Sequence, residues 1–131
     1  MRITTGLVLS LLGVCAAAQA GQPPALACNP KALTRAARPR YQEISRRLRE
    51  AVRDREKLPN GYALSLDGKA ISLTEAAEWM SLERLCCPFL TLGLEAVSGR
   101  GDWVLTLTGP SGVKPIIEAA FVKKAAPKLA P

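Results

Sequence analysis

Apolar residues fall along this chain in stripes of two periods. Leu33, Ala37, Tyr41, Ile44, Leu48 and Val52 recur every three or four positions, with arginine and glutamate filling most of the gaps. That spacing places them on one helical face. The first helix is expected to start near Arg38, or to kink there because of Pro39, and to end before the stop run Leu58-Pro59-Asn60-Gly61. Tyr62, Leu64 and Leu66 alternate with Ala63 and Ser65, which predicts a strand. Asp67-Gly68 then reads as a hairpin turn, with Lys69-Ala70-Ile71 as the short return strand. Ser72 and Glu75 form a capping-box pair ahead of a second helix, expected from Leu73 to Cys87 and stopped by Pro88. Two further alternating runs, Leu90 to Glu95 and Trp103 to Thr108, flank the turn Ser98-Gly99-Arg100-Gly101 and predict an antiparallel hairpin. Ser111 is the expected cap of a last helix bearing Val113, Ile116, Ile117, Ala120 and Phe121 on its apolar face.

The resulting order, α-ββ-α-ββ-α, implies an α+β fold. A small two-layer domain, with an antiparallel sheet of three to four strands and helices on one face, buries every stripe. The 131 residues suit one such domain.

The N-terminus carries a different pattern. Arg2 precedes a short apolar stretch, Leu7 through Val14, and Ala18-Gln19-Ala20 supplies the small residues of a cleavage site. Residues 1–20 therefore read as a secretory signal peptide, with a retained N-terminal anchor as the alternative. Residues 21–31 are expected to be an extended arm, 32–122 the α+β domain and 123–131 a disordered tail. Export places the processed chain in the periplasm or outside the cell, where cysteines tend to pair.

Chemistry is narrowed by what is missing. The chain has no histidine, so the commonest general base and metal ligand is absent. No phosphate-binding glycine loop and no pair of carboxylates suggests catalysis, and the reading leans away from an enzyme. What remains is thiol. Cys15 leaves with the signal, and Cys28, Cys86 and Cys87 stay. An odd number leaves one thiol without an internal partner. Cys86 falls on the helix face of Trp79 and Leu82, toward the core; Cys87 falls on the flank of Met80 and Glu83, nearer the surface. If the arm folds back, Cys28, Cys86 and Cys87 form a cluster suited to a soft metal or metalloid ion such as Cu(I), Zn(II), Hg(II) or As(III). The same residues also allow a disulfide from Cys28 to either Cys86 or Cys87, with the third cysteine buried, or a redox role. These readings stay open.

Charge adds one partner class. The net charge is +7, and residues 31–57 hold ten basic and four acidic side chains. Such a stripe suits an anionic membrane surface, and equally a solvated helix face laced with charge pairs. Nucleic acid is not expected, because the stripe offers only Tyr41 for stacking.

Cys28-Asn29-Pro30 with Ala32-Leu33-Thr34, Leu58-Pro59-Asn60-Gly61-Tyr62, Glu78-Trp79, Leu82-Glu83-Arg84, Cys86-Cys87-Pro88-Phe89-Leu90 and Leu107-Thr108-Gly109-Pro110 with Gly112-Val113-Lys114 together resemble a family of small bacterial proteins without an established function. The resemblance covers about residues 28–122, and Leu82 to Leu90 is its most specific piece. It implies no reaction and no substrate. Two functional expectations follow from the residues: a soft-ion carrier or scavenger built on the thiols, or a non-catalytic, disulfide-stapled interaction domain that uses the basic helix as its contact surface.

Overall fold

The computed structural model describes residues 26–122; the expected signal peptide, residues 21–25 of the arm and the tail lie outside the described residues. The elements are α1 (Ala37–Ala51), β1 (Val52–Leu58), β2 (Gly61–Leu66), α2 (Leu73–Cys86), β3 (Thr91–Ala96), β4 (Trp103–Thr108) and a one-turn helix α3 (Lys114–Ile117) that runs on as a π-turn, Glu118–Val122. The four strands form one antiparallel sheet in the order β1-β2-β4-β3. The expected α+β class is what the chain adopts.

One face of the sheet is covered. Tyr62, Leu64 and Leu66 of β2 and Leu105 and Leu107 of β4 point into a single core with Ile44, Leu48 and Ala51 of α1 and Ala76 and Trp79 of α2. Val113, Ile117 and Phe121 close that core from the C-terminal side, and the Phe121 ring meets Trp79 edge-on at 5.5 Å. Trp79 is fully buried, and its indole N–H donates to Ser45 Oγ at 2.9 Å. A buried Trp needs such a partner, and Ser45 is placed on the same α1 face to provide it.

Three local expectations are corrected. The first helix ends at Ala51, and Val52–Leu58 is a strand rather than helix. Residues 53–57 are all charged, so they carry no apolar period to mark them; pairing with β2 decides their state, from Val52 opposite Leu66 to Leu58 opposite Gly61. Leu58-Pro59-Asn60-Gly61 is accordingly a hairpin turn, not a helix stop. The charges also suit an edge strand, because they discourage pairing with other chains. The second correction concerns Asp67-Gly68. It leads into α2, and Lys69-Ala70-Ile71 is not a strand. Asp67 accepts from the Lys69 N–H at 2.9 Å, a side-chain turn that carries the chain off the sheet, and Ile71 is buried. Lastly, Ser111 does not cap α3: the N-cap is Val113, without a side-chain cap, and Pro115 in the first turn sets the helix start.

Gly61 marks a close approach of two strands. A Cβ there would lie 1.9 Å from the Leu107 carbonyl oxygen of β4. No larger residue fits this crossing without moving the backbone.

Candidate functional site

The site forms where α2 ends. The Ser72–Glu75 capping box is present in both directions and fixes the helix start. From there Trp79, Glu83 and Cys86 fall at intervals of four and three residues on one face, and all three are buried. Pro88 stops the helix. Cys87 becomes the C-cap, with φ −126° and ψ 68°, and its N–H donates to the Glu83 carbonyl at 2.8 Å.

A helix end leaves carbonyls without partners. The arm supplies one donor: the Asn29 N–H reaches the Cys86 carbonyl at 2.8 Å. Asn29 also accepts from the Lys31 N–H through its side chain, which starts a 3-10 turn at Pro30–Ala32 and leads the chain toward α1. Leu33 is buried beside Cys86 and Cys87, with Tyr41, Leu82, Phe89 and Leu90 around them. The fold-back expected of the arm thus has three causes: a backbone hydrogen bond, a buried leucine and a covalent tie.

The covalent tie is a disulfide between Cys28 and Cys87, with Cα atoms 4.6 Å apart and a sequence separation of 59. The pairing left open in the sequence is therefore Cys28 with Cys87. Cys86 is the free thiol among the described residues and is buried on the core side, as its helix face implies. Cys87 departs from expectation. Helical projection puts it nearer the surface, yet it is fully buried, because the returning arm covers the flank that a lone helix would expose.

Two residues of the site carry no clear mark in the sequence. Glu83 is only 4% exposed. The Tyr41 hydroxyl of α1 donates to its Oε2 at 2.6 Å, and no other hydrogen bond or ion pair reaches that carboxyl among the described residues. Burial pushes the Glu83 carboxyl above its ordinary range, and the Tyr41 hydrogen bond offsets this only in part. Tyr41 is itself raised, first by burial and then by Glu83. The Cys86 thiol is pushed up by burial and by the Glu83 charge, which keeps it protonated and inert.

The sulfurs of Cys28 and Cys87 and a carboxyl oxygen of Glu83 all lie within 4.8 Å of one another. Of the three cysteines proposed from the sequence, two are joined directly. Glu83 takes the third place beside them, and Cys86 does not belong to this set of mutually close donors. The helix projection puts Glu83 on the flank nearer the surface; it is instead buried, four residues after Trp79 and three before Cys86, and that spacing is the one trace of its burial in the chain.

Four of the ten basic side chains of residues 31–57 are in ion pairs. Arg40 pairs with Glu78 at 2.7 Å and with Glu43 at 3.3 Å, Arg46 with Glu50 at 2.9 Å, Arg47 with Glu75, and Arg53 with Asp67 at 2.6 Å. Comparison with protein-family models, with curated proteins and with solved structures finds no match for this chain.

Proposed function

We propose that this is an exported protein that binds a soft or borderline metal or metalloid ion at the end of α2 when its thiols are reduced. The same sulfurs close into the Cys28–Cys87 disulfide when oxidised, so the two states exclude each other. The observation that carries this reading is the convergence of two sulfurs and one carboxyl oxygen within 4.8 Å, with Cys87 and Glu83 buried and Cys28 exposed on the arm. Sulfur donors suit Cu(I), Hg(II), As(III) and Zn(II). The disulfide supports export, because such bonds persist in oxidising compartments. The role is that of a carrier or scavenger rather than an enzyme.

The test is metal retention. Protein reduced under anaerobic conditions is mixed separately with Zn(II), Cu(I) or As(III), desalted, and its bound ion and free thiols are counted. The proposal expects about one ion per chain and protection of at least two thiols. Retention of none of the three ions at micromolar concentration ends the proposal.

The disulfide itself supports a second reading, a stapled interaction domain whose α1 surface meets an anionic membrane. The ion pairs of Arg40, Arg46, Arg47 and Arg53 leave less free charge for that contact than the sequence suggests. Sedimentation with anionic vesicles at low and physiological salt distinguishes it. No pelleting at either salt removes the membrane partner.

A further inference from the structure

We infer that the reduced site is a zinc(II) site whose ligands are Cys28 Sγ, Cys87 Sγ and one oxygen of Glu83, with Cys86 outside the ligand set. The inference rests on the proposed ion binding and goes further by naming the ion and the third ligand.

Three observations carry it. The first is distance. Ligands 2.3 Å from a tetrahedral zinc are separated by roughly 3.8 Å. The three donor atoms already lie within 4.8 Å of one another. Two-electron reduction of the disulfide by an external dithiol, which is itself oxidised to a disulfide, leaves two thiols here. A movement of each group by about an ångström then produces the geometry, and the two thiol protons are released on binding the ion. The second is the unmet charge of Glu83. It is a buried carboxyl whose one hydrogen-bond partner is the Tyr41 hydroxyl and which has no ion-pair partner among the described residues. A buried anion normally has a cation beside it, and a divalent ion between Glu83 and the two sulfurs supplies one. The third is donor chemistry. A carboxyl oxygen is a poor ligand for Cu(I), Hg(II) or As(III), which favour sulfur, whereas zinc accepts sulfur and oxygen together.

The surrounding groups fit this assignment. Tyr41 holds Oε2 of Glu83 by a 2.6 Å hydrogen bond, an outer contact of the kind that orients metal-bound carboxylates. Cys86 lies buried on the core side of α2, outside the group of mutually close donor atoms formed by Cys28, Glu83 and Cys87. Three protein ligands leave a fourth tetrahedral position for water or a small anion.

The experiment is competition of the reduced protein against a chromophoric zinc chelator, for the unaltered chain and for Glu83→Gln, Cys86→Ser and Cys28→Ser. As(III) binding is measured in parallel, and circular dichroism verifies that each variant is folded. The inference expects one zinc per chain, a loss of at least ~10-fold in affinity for Glu83→Gln and Cys28→Ser, and a change under about threefold for Cys86→Ser. With Co(II) in place of zinc, the sulfur-to-cobalt absorption falls by about half in Cys28→Ser and holds in Cys86→Ser. If Cys86→Ser weakens binding and Glu83→Gln does not, the site is a three-thiolate one. The inference then falls while ion binding stands. As(III) retention without zinc retention likewise overturns the zinc assignment and leaves ion binding in place. Absence of binding for both ions overturns the proposed function as well.

Discussion

Reducing the Cys28–Cys87 disulfide is expected to cost this domain about 4 kcal/mol of folding stability. The bond joins residues at a sequence separation of 59. Chain-entropy arithmetic for a loop of that length gives about 14 cal/mol/K, or about 4 kcal/mol at room temperature. The cost arises in the unfolded chain, which regains the freedom the cross-link removed. In the folded protein, the Asn29–Cys86 hydrogen bond and buried Leu33 still hold the arm against α2. Urea unfolding of the oxidised and the reduced protein, followed by tryptophan fluorescence, measures the difference. Trp79 is a good reporter because it lies in the core next to α1. The reduced protein should also show a larger m-value, since its unfolded state is more expanded. A stability difference below about 1 kcal/mol would refute the claim that the bond constrains the unfolded chain. Zinc at a hundred times its dissociation constant should return about 2.7 kcal/mol to the reduced protein and nothing to the oxidised one.

Other outcomes are expected from single groups. Burial raises the Glu83 carboxyl above its ordinary value of 4.5, so the folded protein holds this proton more tightly than the unfolded chain. Its contribution is whole below 4.5 and is lost as pH rises through the folded value. Glu83→Gln should therefore be more stable than the parent at pH 7 and equal to it near pH 4, and identical pH profiles for the two would contradict the assignment. Cys86 should resist iodoacetamide at pH 7 in the folded oxidised protein and react fully once the chain is unfolded; rapid labelling of the native protein would count against its burial. Trp79→Ala should cost about 3–5 kcal/mol by chemical denaturation, because it empties the contact with Phe121 and strips Ser45 of its buried partner. Gly61→Ala should destabilise the β1–β2 turn and its crossing with β4, lowering the midpoint of thermal unfolding; an unchanged midpoint would mean that the strands can separate at no cost.

What the sequence discloses follows from where its signals are local. The Ser72–Glu75 box, the α2 stripe and the β3–β4 hairpin are written in neighbouring residues, and they appear where expected. β1 is hidden for a physical reason. Arg53 to Lys57 have no apolar member, so only the distant β2 strand shows that they are extended. Asp67-Gly68 has strong hairpin chemistry, but its neighbour β2 is already paired on both edges, with β1 and β4. The site is half legible. The cysteines stand out in the chain as its candidate chemistry, but the return of the arm enters there only as a condition, because the Asn29–Cys86 hydrogen bond and the buried Leu33 that hold it are contacts between distant residues. The burial of Cys87 is not readable, because the arm that covers it arrives from 59 residues upstream. Glu83 escapes notice because a charged residue on a helix is ordinarily a solvated one, and only Tyr41 across the α1–α2 contact shows it to be buried.

Glu83 also links stability to function. An uncompensated buried carboxyl is a liability for folding, and functional groups commonly carry such a cost. Glutamine at this position would relieve the penalty while retaining a carbonyl oxygen for the Tyr41 hydroxyl.

The most direct measurement is native mass spectrometry of the same preparation, oxidised and then reduced, at one fixed zinc concentration. The account predicts a single zinc adduct on the reduced chain and none on the oxidised chain, with the adduct lost again on reoxidation. Equal adducts in both states, or none in either, would contradict it.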